Sequence, residues 1–164
     1  MKKSHQDRKE AIGEINNRKI KVVFPMHPRT LKNIKKFSLS QHLKNQKNLV
    51  VTEPLGYLDF LCLMSNSKFV ITDSGGIQEE TTILGVPCIT LRNNTERPVT
   101  VEQGTNLLVS TDKNAVIKMA DAIIKNGKTD GKVPKLWDGK AAKRIVDILI
   151  KDIMTPRSGL ITAS

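Results

Sequence analysis

Three short stretches carry side chains suited to holding an anion or moving a proton. The longest, TDSGGIQEETTILGVP at residues 72–87, closes an apolar run with Asp-Ser-Gly-Gly and opens a helical pattern. A strand that turns into a helix there points backbone N–H groups forward from Ser74, Gly75 and Gly76, at the end of the helix dipole that favours anions. The two glycines let phosphate oxygens approach the backbone closely. An Asp/Ser cap on a tight strand-to-helix turn explains the same letters without a ligand. Glu79 and Glu80 fall in the first turns of this helix, where acids already suit the dipole, so one of them can be a plain charge complement. The other has a further use: a carboxylate about one and a half turns in can accept hydrogen bonds from both hydroxyls of a ribose whose phosphates rest on the helix end. PMHPRT (25–30) sets His27 between two prolines with Arg29 beyond it, and RNNTERP (92–98) adds two arginines and Glu96. Guanidinium forks match phosphate or carboxylate oxygens. A lone histidine is commonly a surface or satisfied core residue, so only its place in the fold can give His27 a role.

That place follows from the order of apolar runs. IKVVF (20–24), NLVVT (48–52), KFVIT (68–72) and PCITL (87–91) read as strands, with a weaker NLLV (106–109) behind them. Between them lie helical patterns marked by Leu31, Ile34 and Phe37, by Leu58, Leu61 and Met64, and by Ile77, Ile83 and Leu84. Strand and helix in alternation predict an α/β fold, a parallel sheet with helices on both faces. Gly85 followed by Pro87 marks a helix stop and a strand entry. Further on, DKNAVIKMADAIIKNG (112–127) predicts a helix capped by Asp112, ended by Gly127, and apolar along Val116, Met119, Ala120 and Ile123; a last helix follows over 141–154. In such a sheet the ligand lies outside the carboxyl ends of the strands. His27, the 73–80 segment and the 92–98 loop all fall there.

The bulk composition narrows the classes. At 164 residues the chain suits one domain with a full core. Cys62 and Cys88 sit in apolar stretches without CxxC or Cys/His ligand spacing, and we expect both to be buried, reduced thiols of a cytoplasmic protein with no metal site and no cofactor. No apolar run reaches the ~18 residues of a spanning helix, and the basic start lacks a signal-peptide apolar region, so no membrane partner is expected. The formal charge is +11, and residues 1–50 hold 13 Lys/Arg against 3 Asp/Glu, leaving 14 against 13 elsewhere. That basic third has two aromatic residues, Phe24 and Phe37, and no nucleic-acid motif, which favours a solvated or anion-steering surface over a nucleic-acid footprint.

With those residues in view, PMHPRT, EPLGYLDFLCLMSNSKFVITDSGGIQEE, LGVPCITLRNNTERP and WDGKAAKRI resemble the C-terminal half of the non-hydrolysing UDP-N-acetylglucosamine 2-epimerases, from about residue 20 to residue 150. The resemblance implies one Rossmann-like domain of a two-domain, glycosyltransferase-B type fold that binds a UDP-sugar in the cleft between domains. It divides the chain into a basic helical segment (1–19), a Rossmann-like UDP-binding domain (20–154) and a frayed tail (155–164). The implied chemistry is interconversion of UDP-GlcNAc and UDP-N-acetylmannosamine by elimination of UDP to a 2-acetamidoglucal and re-addition on the opposite face. Residue by residue, the resemblance implies His27 at the diphosphate and the elimination step, Phe60 near the uracil, Ser74, Gly75 and Gly76 on the phosphates, Glu80 on the ribose and Arg97 in the anion pocket.

The sequence departs from the family pattern in three places. Leu55 stands where some relatives carry Gln near the base, which leaves uracil to backbone groups and packing. Val99 follows TERP where many relatives have Glu. The family's N-terminal domain, with the acidic residues that transfer the C2 proton, has no counterpart in these residues. The expected partners are therefore a UDP-sugar and either a separate N-terminal Rossmann domain or a second copy in a homodimer. Two other readings stand beside the epimerase: a nucleotide-sugar binding module without chemistry, and a hydrolysing epimerase that releases ManNAc and UDP.

Overall fold

Short β-branched runs, each closed by a polar or proline-containing turn, leave strands of three or four residues and helical crossovers between them. In the computed structural model, which describes residues 10, 11, 13–15, 18, 20–36, 43, 46–127 and 130–154, the order is β1 (Val22–Pro25), α1 (Pro28–Lys36), β2 (Leu49–Thr52), α2 (Tyr57–Ser65), β3 (Val70–Thr72) and α3 (Gly75–Leu84). Then come β4 (Cys88–Leu91), α4 (Pro98–Glu102), β5 (Asn106–Val109), α5 (Lys113–Asn126) and α6 (Ala141–Met154). Every predicted strand is present within two residues of its expected bounds. Phe37 and the 155–164 tail lie outside the described residues.

All pairings are parallel. β1 runs beside β2, with Val22 opposite Leu49 and Pro25 opposite Thr52, while β4 is flanked by β3 and β5. The ladder is in two pieces, a two-stranded and a three-stranded sheet, where one continuous sheet was the simplest expectation. Between the pieces β1 and β3 both face a cavity of about 750 Å³, walled by Phe24, Phe60, Met64, Phe69 and Ile77. Side chains and void take the place that ladder hydrogen bonds would fill.

The core sits on the three-stranded piece. β4 is buried at all four positions, and its Ile89 and Leu91 pack with Val109 of β5 and with Val116, Ala120 and Ile123 of α5. The α5 residues fall at i, i+4 and i+7, one stripe of the helix. Asp112 caps that helix as predicted, its Oδ1 accepting from the Ala115 N–H at 2.8 Å, and Gly127 ends it with φ 81°. Ala11 and Ile15, from the segment before β1, join the same cluster. Arg18 fixes that segment by forking onto Asp121 of α5, with Nη2 to Oδ2 at 2.7 Å, and the guanidinium holds the Asp121 carboxyl below its usual range. α3 stops at Gly85, whose φ of 66° only glycine adopts without strain. There the Val86 N–H reaches back to the Thr81 carbonyl at 2.9 Å.

Two elements differ from the sequence expectation. Cys62 is exposed, and only Cys88 is buried. Met64 is the one buried residue of α2, and Cys62, two positions earlier, is turned ~200° away from it. α3, for its part, buries Gln78, Thr81 and Thr82 rather than an apolar face, and Ile83 is exposed. Among the described residues no helix is long and apolar enough to cross a membrane.

Candidate functional site

The β3–α3 turn is built to leave its helix end open. Thr72, the last residue of β3, accepts the Ser74 N–H on its Oγ1 at 3.0 Å, which directs the chain into α3 with Ser74 as the extended N-cap residue. Ser is a favoured N-cap, yet its hydroxyl makes no capping bond here. The contrast with Asp112, which does cap α5, is direct.

Gly75 and Gly76 are the first two residues of α3, and neither has a positive φ. A Cβ at Gly76 would meet nothing within 4 Å, and one at Gly75 would meet only Glu96 Oε2 at 3.8 Å. The fold therefore does not need glycine at either position. Among the described residues, the space open at Gly76 is filled by no other group.

The loop after β4 closes on this turn. Arg97 Nε pairs with Glu79 Oε1 at 2.8 Å. Arg92 forks onto Glu96, at 3.2 and 3.1 Å, and that hydrogen bond holds the Glu96 carboxyl below its usual range, with a smaller contribution from the Arg97 charge. Beneath the loop lies a buried polar layer of Gln78, Thr90, Thr100 and Asn106, each at most 1% exposed. Gln78 Oε1 accepts from Thr95 Oγ1 at 2.6 Å and from Asn106 Nδ2 at 3.0 Å.

His27 is exposed at the carboxyl end of β1 and serves as the N-cap of α1. Its carbonyl accepts the Thr30 and Leu31 N–H groups at 2.8 and 3.1 Å, and its ring Nδ1 accepts from the Arg29 N–H at 3.2 Å. In the neutral ring that places the proton on Nε2, which faces away from the cap and can donate. Glu80 is half-buried, and among the described residues its carboxylate makes no ion pair. Phe60 is half-buried on α2 and lines the cavity between β1 and β3, beside Pro25, Asp73 and Ile77. The structure thus joins Gly75, Glu79, Glu96 and Arg97 in one cluster, and Phe60 and Asp73 line one cavity. No hydrogen bond among the described residues links His27 to the 74–76 turn. Among the described residues no three His, Cys, Asp or Glu side chains gather as metal ligands would.

Against known families, the model described as UDP-N-acetylglucosamine 2-epimerase matches residues 1–150. The chain belongs to that family. The UDP-N-acetylglucosamine 2-epimerase of Methanocaldococcus jannaschii is 51% identical over 128 residues, which are 78% of this chain and 34% of that protein. A crystal structure of the M. jannaschii enzyme in complex with UDP-GlcNAc and UDP superimposes with a TM-score of 0.81 at 47% identity, over 92% of this chain and 41% of that one. The Neisseria meningitidis enzyme bound to UDP-GlcNAc gives 0.70 at 32% identity, over 89% and 41%. The chain spans about a third of the length of the curated relatives it matches first. As a family member it has the fold expected of it: a parallel α/β unit that corresponds to part of a glycosyltransferase-B type epimerase.

Within this epimerase-family unit, reasoning from sequence missed two residues. Glu79, one of two adjacent acids of which either can be a charge complement from sequence, is the ion-pair partner of Arg97. Gln78 drew no attention, although polar residues at 78, 81 and 82 of a helix, opposite Thr90 and Asn106 in otherwise apolar strands, are a readable sign of a buried polar layer.

Proposed function

We propose that this chain is the UDP-binding part of an enzyme that interconverts UDP-N-acetylglucosamine and UDP-N-acetylmannosamine by eliminating UDP and adding it back on the other face, without net hydrolysis. The diphosphate rests at Ser74, Gly75 and Gly76 at the start of α3, where the dipole and the N–H groups of the two glycines favour it, the Ser74 N–H being held by Thr72 Oγ1. Arg97 supplies a guanidinium from the facing loop, Glu80 takes the ribose hydroxyls, and Phe60 packs near the uracil. His27 donates from Nε2 to the departing phosphate, a role suited to a ring whose other nitrogen is occupied by the Arg29 N–H. The C2 proton must be moved by carboxylates from a second Rossmann-like domain or a partner chain, since general acid–base catalysis needs a group within hydrogen-bond reach. Two free thiols suit the cytosolic setting that belongs to the same reading.

The observation that carries this reading is the unfilled volume over Gly75 and Gly76, at a helix end its own N-cap residue leaves uncapped. Titration calorimetry of the chain with UDP and with uridine tests it. UDP should bind markedly tighter; equal affinity for the two would remove the diphosphate site.

A further inference from the structure

We propose that Gln78 is a positioning residue for the diphosphate site, tying the Ser74 turn to the backbone of Arg97 from below. The inference rests on the UDP reading above and adds to it the means by which two separate loops are kept in register.

Gln78 is fully buried on the inner face of α3. Its Nε2 donates to the Ser74 carbonyl at 3.3 Å, which anchors the start of the turn. Its Oε1 accepts two donors that both lead to Arg97. Along the first route, Thr95 Oγ1 donates to Gln78 at 2.6 Å and accepts the Arg97 N–H at 3.0 Å. Along the second, Asn106 Nδ2 donates to Gln78 at 3.0 Å and to Thr100 Oγ1 at 3.1 Å, and Thr100 Oγ1 donates to the Arg97 carbonyl at 2.7 Å. Both polar groups of the Arg97 main chain are thus linked by hydrogen bonds to one amide oxygen, and the carbonyl also accepts the Thr100 N–H at 3.0 Å. Asn106 is itself oriented by Thr90, whose Oγ1 donates to its Oδ1 at 2.6 Å. The next residue of α3, Glu79, holds the guanidinium at 2.8 Å. One helix therefore presents the phosphate-facing amides at its end, grips the arginine main chain with residue 78 and grips its head with residue 79.

A core of this size gains nothing in stability from polar side chains that apolar ones would match, since a buried amide must recover its desolvation through its partners. What the polar layer adds is direction: it sets where Arg97 stands relative to the Ser74 turn. Phosphate contacts lose strength with small misplacements, and supporting hydrogen bonds are what hold such groups in place.

The test measures UDP and uridine affinity for the chain and its variants by calorimetry, with thermal melting as a check on folding. Gln78→Met keeps the length and removes every bond; Thr95→Val cuts the first route alone; Thr95→Ser keeps the hydroxyl. Each of the first two should weaken UDP by about three- to tenfold with uridine unchanged, and Thr95→Ser should bind as the parent does. In an Arg97→Ala background the Thr95→Val loss should disappear, because the two act through one contact. Exchange of the Arg97 amide with solvent should also speed up in Thr95→Val, with no ligand present. A folded Thr95→Val chain with parental UDP affinity, an equal loss for uridine, or a loss that persists without Arg97 would overturn the inference alone. A parent chain that binds UDP no tighter than uridine would overturn the functional reading and this inference with it.

Discussion

Replacing Gly76 with alanine separates what the fold needs from what a ligand needs. A Cβ there meets nothing within 4 Å, and the residue is the second of α3, with a helical rather than left-handed backbone. Exchanging glycine for alanine at a compatible position stabilises by about 0.4–1 kcal/mol through the unfolded chain, and less where the helix is only beginning. For a domain of this size that is a melting temperature raised by roughly 1–4 °C, or unchanged. Binding should move the other way. The methyl group takes the volume a phosphate oxygen would enter and costs at least one charge-assisted hydrogen bond, about 1.5–3 kcal/mol, or roughly 10- to 150-fold in UDP affinity. Differential scanning fluorimetry and calorimetry on the same preparation read both quantities. Gly76→Ala binding UDP as tightly as the parent would refute the idea that the glycine is kept for a guest. A fall in melting temperature would show that the turn itself requires it.

The two adjacent glutamates should part company. Glu80→Gln should lose about 10- to 150-fold in UDP affinity with the ribose contact, whereas Glu79→Gln, which breaks a half-exposed pair worth about 0.2–1 kcal/mol, should stay within roughly fivefold; the reverse order in calorimetry would exchange their assignments. Acid stability should report the Arg18–Asp121 fork. The folded Asp121 carboxyl titrates below its ordinary 3.8, so its contribution is complete above that value and fades as pH falls through the lower folded value. Melting temperatures of the parent and Asp121→Asn should differ by a constant amount at neutral pH and converge as the pH falls below the ordinary carboxylate range; a gap that widens on acidification would contradict the sign.

Local chemistry made much of this architecture readable. Asp112, Gly85 and Gly127 act through their own backbone neighbours, so the bounds of α3 and α5 follow from single residues. The β-branched runs become strands because their side chains fit a pleated, buried surface. What was not readable depends on contacts distant in sequence. That Glu79 belongs to Arg97 requires the 92–98 loop to fold back over α3, a matter of tertiary geometry rather than spacing. Cys62 looked buried because its neighbours are apolar, yet α2 commits only Met64 to the interior. His27 was singled out for its position, but its work as the cap of α1 appears only once the Arg29 N–H is seen turning back to the ring. The break between β1 and β3 has no local signature at all, since both strands carry the same kind of residues.

The pairing of Arg97 with Glu79 and of Arg92 with Glu96 has a consequence for the speed of capture. Each guanidinium already has its counter-ion, so on the proposed reading an incoming diphosphate gains little long-range attraction from either of them, whatever the +11 charge of the chain as a whole supplies. These two arginines then contribute little to electrostatic steering, and arrival is governed by diffusion and orientation. Selection falls to the moment of contact, when phosphate oxygens exchange places with carboxylates already in position. On that reading, what these two arginines add to nucleotide affinity lies in how slowly the exchange reverses, in the residence time rather than in the rate of encounter.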